Sequence, residues 1–132
     1  MYLIDTNICS YLMSRRFPSV ERAWRNKDPS EIFISSIVAG ELAYGVEHST
    51  RVESNRATLE LFLSEVRVLP WDKNTIWTYA KEKSRLRKLG TPIGELDLLL
   101  GCQALANNAI FVTNNTREFE RIEGLRLENW AI

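Results

Sequence analysis

A chain of 132 residues, 45% apolar and 26% charged, is long enough to bury one core without staples and carries no biased or low-complexity segment. A formal charge of zero excludes a global nucleic-acid footprint, and no apolar run approaches the roughly 20 residues that span a bilayer. With no signal peptide ahead of Asp5, a cytoplasmic location and no membrane partner are expected.

The first element is a strand, YLID (2–5), followed at once by Thr6 and Asn7 and then by more apolar sequence. Apolar residues return every three or four positions in VERAWRN (20–26), a helix. EIFISS (31–36) reads as the second strand and leads into SSIVAGEL, which places Glu41 on a helix whose Val38, Leu42 and Val46 form the buried stripe. The polar stretch HSTRVESNR (48–56) reads as a connection between helices, and TLELFLSEV (58–66) as a helix. EVRVLP (65–70) is the third strand. A longer, broken helical pattern from Asp72 to Leu89 must stop at Gly90, Thr91 and Pro92, a strong set of breakers. PIGELDLLLGCQALA then opens a new helix with Asp97 in its first turn. AIFVT (109–113) is the fourth strand and LRLENW (125–130) a possible fifth. Strands of this length alternating with helices predict one α/β domain over 1–132, with a mainly parallel sheet covered by helices on both faces.

In an open parallel sheet, ligands sit beyond the carboxyl ends of the strands. The residues found there are Asp5, Glu41 on the helix after the second strand, and Thr113, Asn114 and Asn115 after the fourth. Each acid also has a plain structural use. Asp5, Thr6 or Asn7 serves equally as a helix N-cap, Glu41 as an exposed helical side chain, and Glu95 as a first-turn charge favoured by the helix dipole. Asp97 is harder to place so, because it interrupts the apolar run from Leu96 to Leu100. Acids gathered at one sheet edge repel one another unless a cation lies between them. A hard divalent ion such as Mg²⁺ or Mn²⁺ meets that need, and such ions activate water and stabilise charge on phosphoryl oxygens.

Other chemistries are poorly equipped. His48 is the only histidine and lies in a polar loop, and the sequence contains no GxSxG, GxxxxGK[ST], GxGxxG or HExxH. Cys9 and Cys102, without metal-ligand spacing, read as reduced packing residues. Arg outnumbers Lys 12 to 5, and AKEKSRLRKLG (80–90) sets five cations around one Glu. Lys81, Arg85 and Lys88 fall on one helical stripe, open to reading as a solvated face or as a contact for phosphates.

YLIDTN, SSIVAGELAYG, PIGELDLLLGCQA and FVTNNTREFERIEGL, in this order and spacing, resemble the PIN-domain ribonucleases and, more closely, the VapC toxins of VapBC toxin–antitoxin pairs. The resemblance covers nearly the whole chain. It implies a PIN-like parallel sheet between helices, a homodimer, and an acidic cluster that binds Mg²⁺, with Mn²⁺ as substitute, and hydrolyses RNA. It places the acids at Asp5, Glu41 and Asp97. The fourth position falls on Asn115, where many relatives carry Asp, so this chain departs from the fully acidic pattern. Thr6, Asn7 and Thr113 look like supports of the cluster, with Glu95 and Glu118 as auxiliary acids. The resemblance further implies a VapB-like antitoxin whose C-terminal segment wraps the toxin and sends an Arg into the pocket, and whose other half binds operator DNA. It points to structured RNA as substrate, with the anticodon stem-loop of initiator tRNA favoured, and favours RNA contact for Lys81, Arg85 and Lys88.

Two other readings compete. A receiver-type signalling domain has similar length and an acidic Mg²⁺ pocket, but it wants paired acids after the first strand and a Lys after its last, where this chain has Thr6, Asn7 and no Lys beyond Val112. A catalytically dead RNA-binding module is encouraged only by Asn115. Four Trp and five Phe are expected to exceed what one core needs, which adds to the expectation of a homodimer.

Overall fold

The computed structural model describes all 132 residues. Its strands are β1 (Tyr2–Ile4), β2 (Ile32–Ser35), β3 (Arg67–Leu69), β4 (Ile110–Val112) and β5 (Arg126–Glu128). Its helices are α1 (Thr6–Ser14), α2 (Pro18–Arg25), α3 (Ser36–Glu47), α4 (Val52–Glu65), α5 (Ile76–Lys88), α6 (Glu95–Ala106) and the single turn α7 (Thr116–Phe119), with a 3₁₀ turn at Pro29–Glu31. The strands form one sheet in the order β3-β2-β1-β4-β5, every pair parallel.

The chain moves outward from β1 to β3, returns across the sheet, and moves outward again from β4 to β5. Right-handed crossovers then put α1 to α4 on one face and α5 to α7 on the other. The order reverses between β1 and β4, and that switch point is where a crevice opens beyond the strand ends. Asp5 follows β1 and Thr113 follows β4, so both stand at its mouth.

The central strands form because Leu3, Ile4, Ile32, Ile34, Phe111 and Val112 are apolar, rich in branched or aromatic side chains, and almost fully buried. Each such side chain contributes about 1.5–3 kcal/mol of burial. Asp5 and Ser35 stop β1 and β2 and start the helices that follow: Asp5 accepts a hydrogen bond from the Thr6 amide and Ser35 one from the Ile37 amide. Gly90, at φ +73°, turns the chain after α5 where a side chain would be strained. Gly101 lets α6 approach the Phe119–Ile122 segment, since a Cβ there would lie 2.3 Å from Ile122 Cδ1.

Two expectations change. The stretch 48–56 is not all connection, for α4 already begins at Val52 with no side-chain cap to announce it. Nor are the aromatic residues surplus: of the four Trp and five Phe, only Trp77 is exposed; Trp71 is half-buried with its indole donating to the Leu99 carbonyl, and the other seven pack in or against the core. Cys9 and Cys102 are buried free thiols, as expected, with the Cys102 thiol pushed up to about 12 by burial.

Candidate active site

Asp5 is 9% exposed and both of its oxygens are fixed. The Thr6 amide donates to Oδ1 at 2.8 Å and the Thr113 hydroxyl donates to Oδ2 at 2.8 Å. The Thr113 hydroxyl in turn accepts from the Asn115 amide at 3.0 Å, so the β4–α7 turn is tied to Asp5. The Thr6 hydroxyl donates to Glu41 Oε1 at 2.7 Å, bringing α3 to the same place. Thr6 thus serves two acids at once, one through its backbone and one through its side chain. Asn7 is exposed and its side chain makes no hydrogen bond within the protein.

The other half of the cluster comes from α6 and α7. Asp97, in the first turn of α6, lies close enough to Glu118 to share a proton with it. Glu118 is fixed by the Gly94 amide, which donates to Oε1 at 3.0 Å, and by the Asn115 side-chain amide, which donates to Oε2 at 2.7 Å. A Cβ at Gly94 would stand 3.6 Å from Asp97 Oδ2 and 3.8 Å from Glu118 Oε1, so the backbone at α6's start opens directly onto this pair.

The electrostatics follow from crowding. Burial, followed by the charges of Glu118, Asp5 and Glu41, pushes the Asp97 carboxyl up to about 7. Asp5 is also raised, chiefly by burial, although the Thr113 and Thr6 hydrogen bonds oppose it. Glu118 is lowered, first by its bond from Gly94, so within the pair Asp97 holds the proton and Glu118 the charge. None of the four acids forms an ion pair with a Lys or Arg.

A hard divalent cation suits this donor set in kind: four carboxylates, hydroxyl supports, no His or Cys, and repulsion that a cation would relieve. The side chains do not converge as a ready three-ligand cage, because Thr6 holds Glu41 and Asn115 holds Glu118 in hydrogen bonds of their own. Asp5, Glu41, Asp97 and Glu118 are the residues available to such an ion.

The remaining residues singled out from the sequence separate clearly. Asn115 is brought to the cluster, but its side chain supports Glu118 and does not itself face Asp5. Glu95 is turned away from the cluster: it accepts hydrogen bonds from the Tyr79 hydroxyl and from Lys83, and Lys83 lies 3.1 Å from its other oxygen. Arg85 is occupied inside the protein, donating to Glu82 Oε1 at 2.8 Å, to Glu82 Oε2 at 2.9 Å and to the Arg121 carbonyl at 2.7 Å. Its partner Glu82, three residues earlier, is 8% exposed, and that spacing was the available signal for a structural pair. Lys81 and Lys88 are exposed. A groove of about 430 Å³, missed in the sequence, runs from Thr6 and Glu41 between α1, α3 and α4, past Met13, Gly45, Val46 and Leu59.

A PIN domain model matches residues 2–125. The chain is 39% identical to Ribonuclease VapC2 of Rickettsia felis and 37% identical to a tRNA(fMet)-specific endonuclease VapC of Shigella flexneri, with 98% of each chain covered in both cases. It is likewise similar to the structure of a DNA-bound VapBC from Salmonella typhimurium, at 35% identity and a TM-score of 0.92, over 98% of this chain and 97% of that one.

Proposed function

The chain belongs to the PIN-domain family, among the VapC ribonucleases, and from that premise we propose that it is the toxin of a toxin–antitoxin pair, a cytoplasmic endoribonuclease dependent on Mg²⁺ or Mn²⁺ that cuts initiator tRNA. The observation that carries this reading is the cation-free group of four carboxylates at the sheet's switch point, with Asp97 raised to about 7. Membership also removes the receiver-like alternative.

The ion, when bound, supplies Lewis acidity towards water and towards a phosphoryl oxygen. The protein's own part is positioning and proton handling. Thr6 and Thr113 hold both Asp5 oxygens, so that acid presents a fixed charge to whatever enters. Thr6 holds Glu41 on the facing wall. The Asp97–Glu118 pair would share in holding such an ion, and because Asp97 is still partly protonated near pH 7, cation affinity should rise with pH. Asn115 keeps Glu118 turned toward Asp97 without adding charge.

The groove between α1, α3 and α4 suits the C-terminal segment of a VapB-like antitoxin. Its apolar walls lead to Glu41, where an Arg from that segment would meet carboxylates by charge-assisted hydrogen bonds. Gly45 lines it, and a Cβ there would meet nothing within 4 Å. Gly45→Leu is therefore expected to leave RNA cleavage intact and release it from antitoxin inhibition, measured by adding purified antitoxin to the cleavage reaction. Operator DNA is contacted through the antitoxin alone. Leu89 and Leu96, exposed on either side of the Pro92–Gly94 loop, offer apolar surface for a homodimer, which sedimentation tests directly.

The deciding experiment incubates purified protein with initiator and elongator methionine tRNAs in Mg²⁺, in Mn²⁺ and in EDTA. Metal-dependent cutting of the initiator species alone is expected. Cleavage of both equally removes the substrate assignment, and binding without cleavage in either metal returns the chain to the RNA-binding module reading.

A further inference from the structure

The outer face of α5 carries a shallow groove lined by Trp77, Ala80, Lys81, Ser84, Arg85 and Lys88, one stripe down the helix. Trp77 is 73% exposed, whereas Trp24 and Trp130 pack in or against the core and Trp71 is half-buried, its indole donating to the Leu99 carbonyl. An indole so placed leaves a large apolar face in water. Three cations share its groove and no acid does. Arg85 is engaged by Glu82 and Arg121, so the cations free to meet a ligand are Lys81 and Lys88. Lys81 lies one helical turn beyond Trp77 and Lys88 two turns beyond Lys81.

A flat apolar platform followed by two unpaired ammonium groups matches a chain that alternates planar bases with phosphates. A second copy of this protein matches poorly. A two-fold pairing of this groove would set the lysines of one copy against the cations of the other, with no acid in the groove to offset them.

We propose that the outer face of α5 holds the RNA substrate, with Trp77 stacking on an unpaired base while Lys81 and Lys88 engage successive phosphates further along the strand. This rests on the ribonuclease reading and assigns part of its substrate surface. The platform is sequence-tolerant, because every base has a face to stack, and so it supports affinity more than choice of cut site.

The test measures binding in EDTA, where cleavage is suppressed, using a fluorescein-labelled oligouridylate and initiator tRNA as probes. Trp77→Ala is expected to weaken binding about tenfold, since loss of one stacked base costs roughly 5- to 100-fold, and Trp77→Phe to restore most of it. The double change Lys81→Ala with Lys88→Ala should flatten the dependence of log affinity on log salt by about 0.7 per cation lost. In Mg²⁺, Trp77→Ala should raise KM for tRNA with kcat preserved, and RNA should quench the fluorescence of the wild-type protein but not that of Trp77→Phe. Equal affinity of Trp77→Ala and wild type in a protein that still cuts tRNA overturns the proposal and leaves the ribonuclease reading standing. A Trp77→Ala protein that changes its sedimentation but not its RNA affinity overturns it in favour of a protein partner. Trp77-dependent binding without metal-dependent cleavage upholds the surface and removes the ribonuclease. A wild-type protein that binds neither probe overturns both.

Discussion

Glu82 and Glu123 meet around Arg85, whereas Asp5, Glu41, Asp97 and Glu118 meet with no cation of the protein among them. The first group ties α5 to the segment after α7: Arg85 forks onto Glu82, and Glu82 also accepts from the Glu123 amide at 3.2 Å. There the Arg85 hydrogen bonds hold the Glu82 carboxyl below its usual value. In the second group burial and neighbouring charge push Asp97 up to about 7. Acids that serve the fold carry their own counter-charge. Acids held together without one are available to a cation from outside, and hydrogen bonds from Thr6, Thr113, Asn115 and Gly94 hold Asp5 and Glu118 in place.

The contrast breaks most sharply at Asp5 and Asp97. Asp5→Asn or Asp97→Asn keeps shape and removes charge, and each should lower RNA cleavage by on the order of a thousandfold, because several kcal/mol of transition-state stabilisation would depend on the cation they are proposed to hold. Circular dichroism should show the fold intact. Next comes the division of labour between Glu118 and Asn115. Glu118→Gln should cost roughly ten- to a hundredfold in rate and raise the Mg²⁺ needed for half-maximal cleavage, as is typical when a group that holds or orients metal ligands is lost. Asn115→Ala should cost less than either Asp change, and Asn115→Asp should lower the Mg²⁺ requirement by adding a fifth carboxylate. Metal titrations of the cleavage rate rank all of them.

A gentler effect appears in stability against pH without metal. The folded pKa of Asp97 lies above its ordinary 3.8, so folding takes up a proton. Its contribution is fully favourable below 3.8 and is lost as pH rises through about 7. Glu118, shifted the other way, is ionised in both states above pH 6 and adds no slope there. The metal-free protein should therefore melt higher at pH 6 than at pH 8, and Asp97→Asn should flatten that difference. The smallest catalytic effect belongs to Arg85→Ala. It leaves the buried Glu82 without its counter-charge, so melting temperature should fall further than for Lys81→Ala, with the metal requirement unchanged.

Much of this was legible because it is local. The periodicity of VERAWRN and TLELFLSEV, the breakers at Gly90 and Pro92, and the branched runs of the strands located the elements. The strand-end rule picked out Asp5 and, through the following helix, Glu41, and the acid breaking the apolar run from Leu96 to Leu100 picked out Asp97. Asp5 turned out to be both things it resembled, a cap on α1 and a member of the cluster, since one oxygen serves the Thr6 amide while the other receives Thr113. What stayed hidden depends on distance in the chain or on the direction of a single turn. The Thr6–Glu41 bond joins residues 35 apart, and no spacing rule reaches that far. Whether Asn115 or Glu118 faces Asp97 is decided by the four-residue helix α7, too short to leave a periodic mark. Arg85 was grouped with its cationic neighbours by helical spacing alone, although Glu82 three residues before it pointed inward.

In the reading proposed above, the second group takes up a divalent metal at the expense of a proton on Asp97. Calorimetric titration of Mn²⁺ into the EDTA-stripped, dialysed protein near pH 7, repeated in two buffers of different ionisation heat, measures binding and proton release together. Saturable binding with release of a fraction of a proton is predicted, with the release lost in Asp97→Asn. Absence of binding, or full-rate RNA cleavage by the same stripped protein in EDTA, would contradict it.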